Sequence, residues 1–287
     1  MRLLRVSLPV IISALLTAFT LAAPGHAATT TPTKALVFIE ENHSLSQMQQ
    51  QMPYLNSLAQ KYSYATNYTA VTHPSLPNYL AIAGGSTFGV SNDAAPATNA
   101  PKVGSSPSVF DQAIKNGRTA KTYAESMPGN CALATSGSYA VKHNPWTYFG
   151  AYRSNCQKYD VPLTPLAADA KAGTLPNVGM VIPNLCNDAH NCPLGTADNW
   201  LKNHLPAILN GPDFTTGKLA VIVTADEDDR SSGNKVLTVV MHAGSPHRVV
   251  TTGLTHYSLS GYLSRLGGAS PLAKAASAPS FANAFGL

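Results

Sequence analysis

The sequence predicts an α/β fold in which a mainly parallel central sheet is flanked by helices. Two observations support this prediction. Short apolar runs rich in β-branched residues recur along the chain, which is typical of buried parallel strands. Between these runs lie stretches whose apolar residues repeat at helical spacing. No internal repeat or interdomain linker divides the 287 residues, so we expect a single domain with a sizeable core.

The first 27 residues predict a secretory signal peptide. Arg2 and Arg5 precede an apolar stretch over about 6–23, and small residues suited to cleavage follow at 24–27. The alternative is a retained membrane anchor, because the apolar stretch approaches the minimum length of a span. We expect cleavage, which leaves a secreted domain over 28–287 without a transmembrane span.

The predicted strands are five short apolar runs: Ala35–Ile39, Thr119–Tyr123, Val178–Ile182, Leu219–Val223 and Val236–Met241. Helical spacing of apolar residues appears in three segments: Tyr54–Tyr62, Ser75–Ala83 and Trp200–Leu209. Two further stretches, Asn92–Pro107 and Met127–Pro165, are rich in Pro, Ser, Asn and Gly, and we expect them to form long loops. The Ala- and Ser-rich tail over Gly267–Leu287 is expected either to wrap the surface or to fray.

The chain has four cysteines, and three disulfide pairings are open to them. Proximity in the sequence favours Cys131 with Cys156 and Cys186 with Cys192, and an exported protein can form both bonds. The competing interpretation is a zinc site of four thiolates. The absence of a CxxC pair and the oxidising compartment favour disulfides.

Acidic residues are scarce but clustered. Only 11% of the residues are charged and 14 are acidic, yet six of those acids lie in Glu40–Glu41 and Asp226–Asp229. The net charge of +5 is spread along the chain without a basic run, so a nucleic-acid-binding protein is not expected.

Polar residues follow three predicted strands directly. Glu41 and Asn42 come after the first, Asp188 and His190 after the third, and Asp226 with Glu227 after the fourth. The carboxyl ends of parallel strands meet at one edge of a sheet, and clustered carboxylates there require a cation. The alternative for each run is a solvated turn. We therefore predict a cation site. Glu40 is expected at its solvated edge, and the roles of Asp228 and Asp229 stay open between that edge and support of the ligating residues.

Ser75 is predicted at the N-cap of the helix that Gly84-Gly85 ends. Backbone N–H groups at a helix N-terminus favour an anion such as phosphate. The alternative is that Ser75 only caps the helix.

Eight motifs occur in an order that resembles a known family: VFIEENHS (37–44), THPSLPNYLAIAGGSTFG (72–89), ESMPGNC (125–131), YAVKHNPWTYF (139–149), VIPNLCNDAH (181–190), DNWL (198–201), VTADEDD (223–229) and THYSL (255–259). The chain is similar to the phosphoesterase family of secreted bacterial acid phosphatases and phospholipases C. This family belongs to the alkaline-phosphatase-like superfamily, and the resemblance covers nearly the whole mature chain.

The resemblance implies a role for each motif. Ser75 would be the nucleophile, and His190 or His256 would protonate the leaving alcohol. His143 and Asn144 would contact phosphate or the leaving group. A divalent metal would be held by five residues: Glu41, Asn42, Asp188, Asp226 and Glu227. The wider superfamily has Asp-His where this chain has Asp226-Glu227, so the number of bound ions, one or two, stays open. The roles of His43 and His73 also stay open.

The predicted function is a secreted, metal-dependent acid phosphatase that hydrolyses phosphate monoesters through a phosphoserine. A lipid headgroup such as phosphatidylinositol 3-phosphate is among the candidate substrates, and a histidine acid favours an acidic optimum. One alternative is a phospholipase C that cleaves phosphodiesters at the same site. Another is a secreted metal-binding protein without catalysis.

Overall fold

A computed structural model describes residues 1, 3–4 and 30–287. The signal peptide predicted for the first 27 residues therefore lies almost entirely outside the described residues. In the described part of the chain, no helix has both the length and the apolar character needed to cross a bilayer.

The described residues contain ten strands: β1 (Lys34–Glu40), β2 (Ser63–Ala65), β3 (Tyr68–Thr69), β4 (Ala120–Ala124), β5 (Asp160–Pro162), β6 (Val178–Ile182), β7 (Leu219–Ala225), β8 (Thr238–His242), β9 (Arg248–Val250) and β10 (Leu254–Thr255). Eight of them form one sheet in the order β5-β4-β6-β1-β7-β8-β2-β9, while β3 and β10 form a small parallel pair. Only β8 runs antiparallel to its neighbours in the large sheet. The predicted mainly parallel α/β fold is confirmed.

Eleven α-helices are described: α1 (Leu45–Gln51), α2 (Pro53–Lys61), α3 (Ser75–Gly84), α4 (Pro96–Val103), α5 (Val109–Lys115), α6 (Arg153–Tyr159), α7 (Leu166–Ala172), α8 (Leu194–Leu209), α9 (Pro212–Thr215), α10 (His256–Leu266) and α11 (Phe281–Phe285). One group, α1, α2 and α7–α9, packs together against the sheet, and a second group contains α3, α5, α10 and α11. The core lies between the sheet and these helices. Ala35 to Glu40 of β1 are all fully buried, as expected of a strand covered on both faces.

The segments predicted as loops contain more structure than expected. Residues 92–107 include α4, which begins at Pro96, where the fixed φ of proline suits a first helical turn. The long 127–165 segment includes α6, β5 and three short 3-10 helices at Val141–His143, Pro145–Tyr148 and Gly150–Tyr152. The tail packs on the domain, because Phe281 and Phe285 are buried.

Both favoured disulfides are present. Cys131 pairs with Cys156, and Cys186 pairs with Cys192. The second bond closes a short loop after β6 that contains Asp188 and His190. This loop lies at the carboxyl edge of the sheet, beside the ends of β1 and β7.

Candidate active site

The ends of β6, β1 and β7 are neighbours in the sheet, and backbone hydrogen bonds continue beyond them. Glu41 N–H donates to the Asp188 carbonyl at 2.8 Å, and Asp226 N–H donates to the Glu40 carbonyl at 3.0 Å. Asn42 has a φ of 56°, a conformation that asparagine tolerates better than most residues. Its N–H donates to Asp226 Oδ1 at 3.1 Å. The structure thus brings together the acids predicted on three separate strands.

Ser75 is the first residue of α3, and Pro74 takes the N-cap position predicted for Ser75. The side chain is almost fully buried, and Oγ donates to Glu41 Oε2 at 3.0 Å. Tyr79, one turn further along α3, donates to Glu41 Oε1 at 2.8 Å. The Leu76 N–H, in the first turn of α3, donates to Asp93 Oδ1 at 2.9 Å.

Asp226 and Glu227 lie between the end of β7 and the start of α3. Asp226 Oδ1 accepts the N–H of Asn42 and that of Glu227, the latter at 2.7 Å. Its other oxygen, Oδ2, is buried and has no hydrogen-bond partner among the described residues. Glu227 Oε2 accepts Asn78 Nδ2 at 3.0 Å, and its Oε1 lies 3.1 Å from His73 Nδ1. A buried carboxylate oxygen without a partner is available to a cation.

His143 lies between two carboxylates. Nε2 is 3.0 Å from Glu41 Oε1, and Nδ1 is 3.0 Å from Asp188 Oδ2. The imidazole also stacks on Tyr79, with ring centroids 5.2 Å apart. Burial lowers the pKa of His143 well below its usual range, which favours a neutral ring with a single N–H. One neighbouring carboxyl must then carry a proton, or a cation must neutralise the pair.

His190 occupies the open side of this group. Its N–H donates to Asp188 Oδ1 at 2.8 Å. Its ring is half-buried, with Nδ1 2.7 Å from Asn191 Oδ1 and Nε2 3.2 Å from Lys142 Nζ. His190 is therefore the predicted acid whose ring can meet a ligand from solvent.

His256 and Asn144 are placed behind the site. His256 is fully buried, and its Nε2 lies 2.6 Å from the Asp226 carbonyl oxygen while Nδ1 lies 3.0 Å from the Tyr68 hydroxyl. Burial lowers the pKa of His256 to about 4, which disfavours a proton-donating imidazolium. Asn144 Nδ2 donates to Asp160 at 2.8 Å, in a separate buried cluster.

The prediction that Glu40 lies at a solvated edge is wrong, and of the two alternatives for Asp228 the solvated one is excluded. Glu40 is fully buried, and neither carboxyl oxygen has a partner among residues 30–287. It is the last residue of β1, and the sheet is covered by helices on both sides at this strand. Asp228 is also buried and accepts three backbone N–H groups, those of Arg230, Ser232 and Asn234. Asp229 alone is exposed.

Burial dominates the electrostatics, and repulsion between the acids adds to it for Glu41 and Glu227. Burial, with Asp226 and Asp188 adding to it, raises the pKa of Glu41 well above its usual range. Burial raises the pKa of Asp226 to about 7 and that of Asp188 to about 7. Burial raises the pKa of Glu227 to about 9, with Asp226 the next cause. These acids are costly to ionise together unless a cation lies among them.

The donor set fits a divalent metal. Asp226 Oδ2 is buried without a partner among the described residues, and Asn42 donates its backbone N–H to Asp226 and its side-chain Nδ2 to Glu41. Carboxylate oxygens such as those of Glu41, Asp226 and Glu227 are ligands that hard cations prefer. A second group of possible ligands includes nitrogen donors. One donor atom each of Glu41, His143 and His190 lie within 4.8 Å of one another. The residues present therefore suit the cation that the sequence predicts.

Sequence reasoning assigned no role to several residues of the site. Tyr79 could have been found, because a residue four positions after Ser75 shares its helical face. Lys142 precedes His143 in the KHNP motif, and His73 precedes Pro74 in THPS. Asp93 lies in a segment without a recognisable pattern, so only the structure places it against α3.

Comparison with known proteins gives consistent matches. A family model described as the Phosphoesterase family matches residues 26–259. A phosphatidylinositol-3-phosphatase of Mycobacterium tuberculosis is 32% identical over 91% of this chain and 86% of its own. A phosphate-repressible acid phosphatase of Penicillium chrysogenum is 31% identical over 73% of this chain, which spans only 53% of that relative.

Solved structures with low sequence identity share the fold. A member of the alkaline phosphatase superfamily from Vibrio parahaemolyticus has a TM-score of 0.57 and 12% identity, covering 83% of this chain and 67% of its own. A lipoteichoic acid synthase from Listeria monocytogenes has a TM-score of 0.55 and 10% identity, covering 86% and 76%. The predicted alkaline-phosphatase-like architecture is confirmed.

Proposed function

Because the chain belongs to the phosphoesterase family, and is therefore a phosphoric ester hydrolase, we propose that it is a metal-dependent phosphomonoesterase that acts through a phosphoserine at Ser75. The observation that carries this proposal is the hydrogen bond from Ser75 Oγ to Glu41 Oε2. It places a hydroxyl nucleophile against a buried carboxylate cluster whose donor set fits a cation. A hydroxyl paired with a carboxylate that can accept its proton is the expected geometry for an activated serine.

Four residues would hold the metal in this proposal: Glu41, Asn42, Asp226 and Glu227. When bound, the ion would supply positive charge that favours the serine alkoxide and offsets the charge of the phosphoryl oxygens. Asp188 has a different role here, because its two oxygens hold His143 and the His190 backbone. It orients the two imidazoles that face the cluster.

The protein's own groups account for the proton transfers. The Ser75 proton leaves toward Glu41 Oε2 as Oγ attacks phosphorus, and the bond between phosphorus and the ester oxygen breaks. His190 donates a proton from Nε2 to the departing alcohol. The same nitrogen then takes a proton from water as the water oxygen attacks phosphorus. The Oγ–P bond breaks, the proton held by Glu41 Oε2 returns to Ser75 Oγ, and phosphate is released. His256 positions Asp226 through the Asp226 carbonyl instead of moving protons.

Chemical trapping of the enzyme tests the serine assignment. The wild-type protein, incubated with p-nitrophenyl phosphate and a divalent metal and quenched in acid, should carry a phosphate on the peptide that contains Ser75. Ser75→Ala should lose turnover while keeping the wild-type circular dichroism spectrum and melting temperature. A Ser75→Ala enzyme with near-native turnover would contradict the proposal.

The proposed substrates are phosphate monoesters, with phosphoinositide headgroups among them. Support comes from the M. tuberculosis relative, whose name states phosphatidylinositol 3-phosphate as its substrate. Two disulfides support export to an oxidising compartment. Incubation with phosphatidylinositol 3-phosphate and with phosphatidylcholine separates the two hydrolase candidates. Release of inorganic phosphate indicates a monoesterase, whereas release of diacylglycerol indicates a phospholipase C. A metal-loaded wild type that hydrolyses neither lipid and also leaves p-nitrophenyl phosphate intact would indicate a metal-binding protein without catalysis.

A further inference from the structure

Asp93 makes two contacts that the proposed mechanism does not use. Its Oδ1 accepts the Leu76 N–H in the first turn of α3 at 2.9 Å. Its Oδ2 lies 3.2 Å from Lys142 Nζ. Lys142 in turn lies 3.2 Å from His190 Nε2, the atom proposed to protonate the leaving group. The Asp93 carboxylate therefore bridges α3, the helix that begins with Ser75, and Lys142.

Both groups that Asp93 contacts are suited to a phosphoryl group. The N–H next to Ser75 lies at the N-terminus of a ten-residue helix, where anions are stabilised. The Lys142 ammonium is close enough to the acids to oppose the rise in the pKa of Glu41 that burial, Asp226 and Asp188 cause. A phosphate monoester that reaches Ser75 needs positive groups at this position, and an enzyme carboxylate already holds two of them.

We propose that Asp93 is a resident anion that holds Leu76 N–H and Lys142 in the free enzyme and yields both to the phosphoryl oxygens of the substrate. This inference rests on the proposed phosphomonoesterase function. Asp93 and Lys142 then act in opposite directions on phosphate binding. Lys142 attracts the phosphoryl group, whereas Asp93 competes with it and repels it.

The surroundings of Asp93 allow this exchange. Its side chain is 29% exposed and that of Lys142 is 21% exposed, so the carboxylate can turn to solvent without being buried unpaired. An ion pair exposed to this degree contributes little stability. By contrast, charge-assisted hydrogen bonds to a phosphoryl group are short and strong.

A second aspartate of the chain provides a matched control. Asp213 also accepts a backbone N–H, that of Leu175 at 3.1 Å, and also pairs with a lysine, Lys34 at 2.7 Å. Lys34 begins β1, so this pair lies at the amino edge of the sheet, opposite the candidate active site. A change at Asp213 therefore removes the same kinds of contact as a change at Asp93, but away from the candidate active site.

Inorganic phosphate is the probe, measured as a competitive inhibitor of p-nitrophenyl phosphate hydrolysis and by calorimetry with metal-loaded protein. Asp93→Asn keeps the shape but loses the charge, and it should lower the phosphate dissociation constant severalfold. Lys142→Met should raise that constant by roughly tenfold or more. Asp213→Asn should leave it unchanged. Metal content, measured by elemental analysis, should stay at the wild-type value in all three variants.

Two results would overturn the inference while leaving the proposed function intact. One is an active wild type whose Asp93→Asn variant binds phosphate equally or more weakly, which would make Asp93 a cap of α3 only. The other is a Lys142→Met variant with wild-type phosphate affinity. The Lys142→Met variant still tests the inference if Asp93→Asn does not fold. A metal-loaded wild type that neither hydrolyses the ester nor binds phosphate would overturn the function and the inference together.

Discussion

Ser75 and Tyr79 lie one turn apart on α3 and donate hydrogen bonds to opposite oxygens of the Glu41 carboxylate, at 3.0 Å and 2.8 Å. A single helix thus fixes both the proposed nucleophile and the orientation of a proposed metal ligand on β1. Sites built on regular elements hold their geometry better than sites built on loops. Tyr79 also stacks on His143, so the same helix holds a third side chain of the site in place.

The first prediction concerns the Tyr79 hydroxyl. Tyr79→Phe removes the hydrogen bond to Glu41 but keeps the ring on His143. Because a hydrogen bond to a charged group contributes about 1.5–3 kcal/mol, we expect metal affinity to fall by roughly tenfold or more. Isothermal titration of metal into the metal-free variant measures this loss directly.

Tyr262→Phe is the control for this experiment. Tyr262 is also buried, but its hydroxyl has no partner among the described residues. Removing that hydroxyl should therefore leave metal affinity unchanged. Equal metal affinities of Tyr79→Phe and the wild type would show that Tyr79 does not position Glu41.

The second prediction separates two adjacent acids. Burial, followed by Asp188 and Asp198, raises the pKa of Glu40 well above its usual range, which favours its protonated form. Glutamine is the neutral isostere of that form, so Glu40→Gln should keep activity within about twofold of the wild type. Its melting temperature should equal or exceed that of the wild type, with the advantage growing as pH rises. Glu41→Gln should lose both metal binding and activity.

Thermal melts between pH 5 and pH 9, together with turnover of p-nitrophenyl phosphate, check both variants. The sign follows from the direction of the shift. A carboxyl whose folded-state pKa is raised destabilises the fold as pH rises toward that pKa. Loss of activity in Glu40→Gln comparable with that in Glu41→Gln would mean that Glu40 takes part in the site.

The strands and the sheet edge that carries the candidate site could be predicted because they depend on local patterns. Apolar runs such as Leu219–Val223 predict buried strands without knowledge of their neighbours. The acids at Glu41 and Asp226 then follow, because parallel strands end at one edge. Burial of Glu40 could not be predicted in this way, since a strand covered on both faces carries no alternation that tells which face a side chain meets.

Other features depend on contacts between distant segments. Asp93 reaches Leu76 and Lys142 from a loop, and no spacing in the sequence indicates that approach. For His256, the sequence suggests a role that the packing does not favour. Its motif suggests a catalytic imidazole, but only the packing shows that Tyr68 and the Asp226 carbonyl occupy both of its nitrogens.

The third prediction compares the two disulfides. By loop entropy alone, losing Cys131–Cys156, with a separation of 25 residues, should cost about 3.5 kcal/mol of unfolding free energy. Losing Cys186–Cys192, with a separation of 6, should cost about 2 kcal/mol. The shorter loop contains Asp188 and His190, so the Cys186→Ser/Cys192→Ser variant should lose more turnover despite losing less stability. Urea unfolding and steady-state kinetics on both double variants test this ordering. The reverse order of turnover losses would remove the proposed link between this loop and catalysis.

The fourth prediction is that stabilisation by metal increases with pH. In the metal-free protein, burial raises the pKa of Asp226 to about 7 and, with Asp226 adding to it, that of Glu227 to about 9. Below about pH 7 both acids are protonated, so a metal must displace protons and binds weakly. Between the ordinary carboxyl pKa of about 4 and these raised values, the metal-free fold loses stability as pH rises, because the unfolded chain releases protons that the buried acids retain. The increase in melting temperature on adding a divalent metal should thus be small at pH 5 and large at pH 8. Asp226→Asn, which lacks one of these charges, should show a smaller and flatter response. A metal-induced shift that is the same at both pH values in the wild type would place the metal away from these carboxylates.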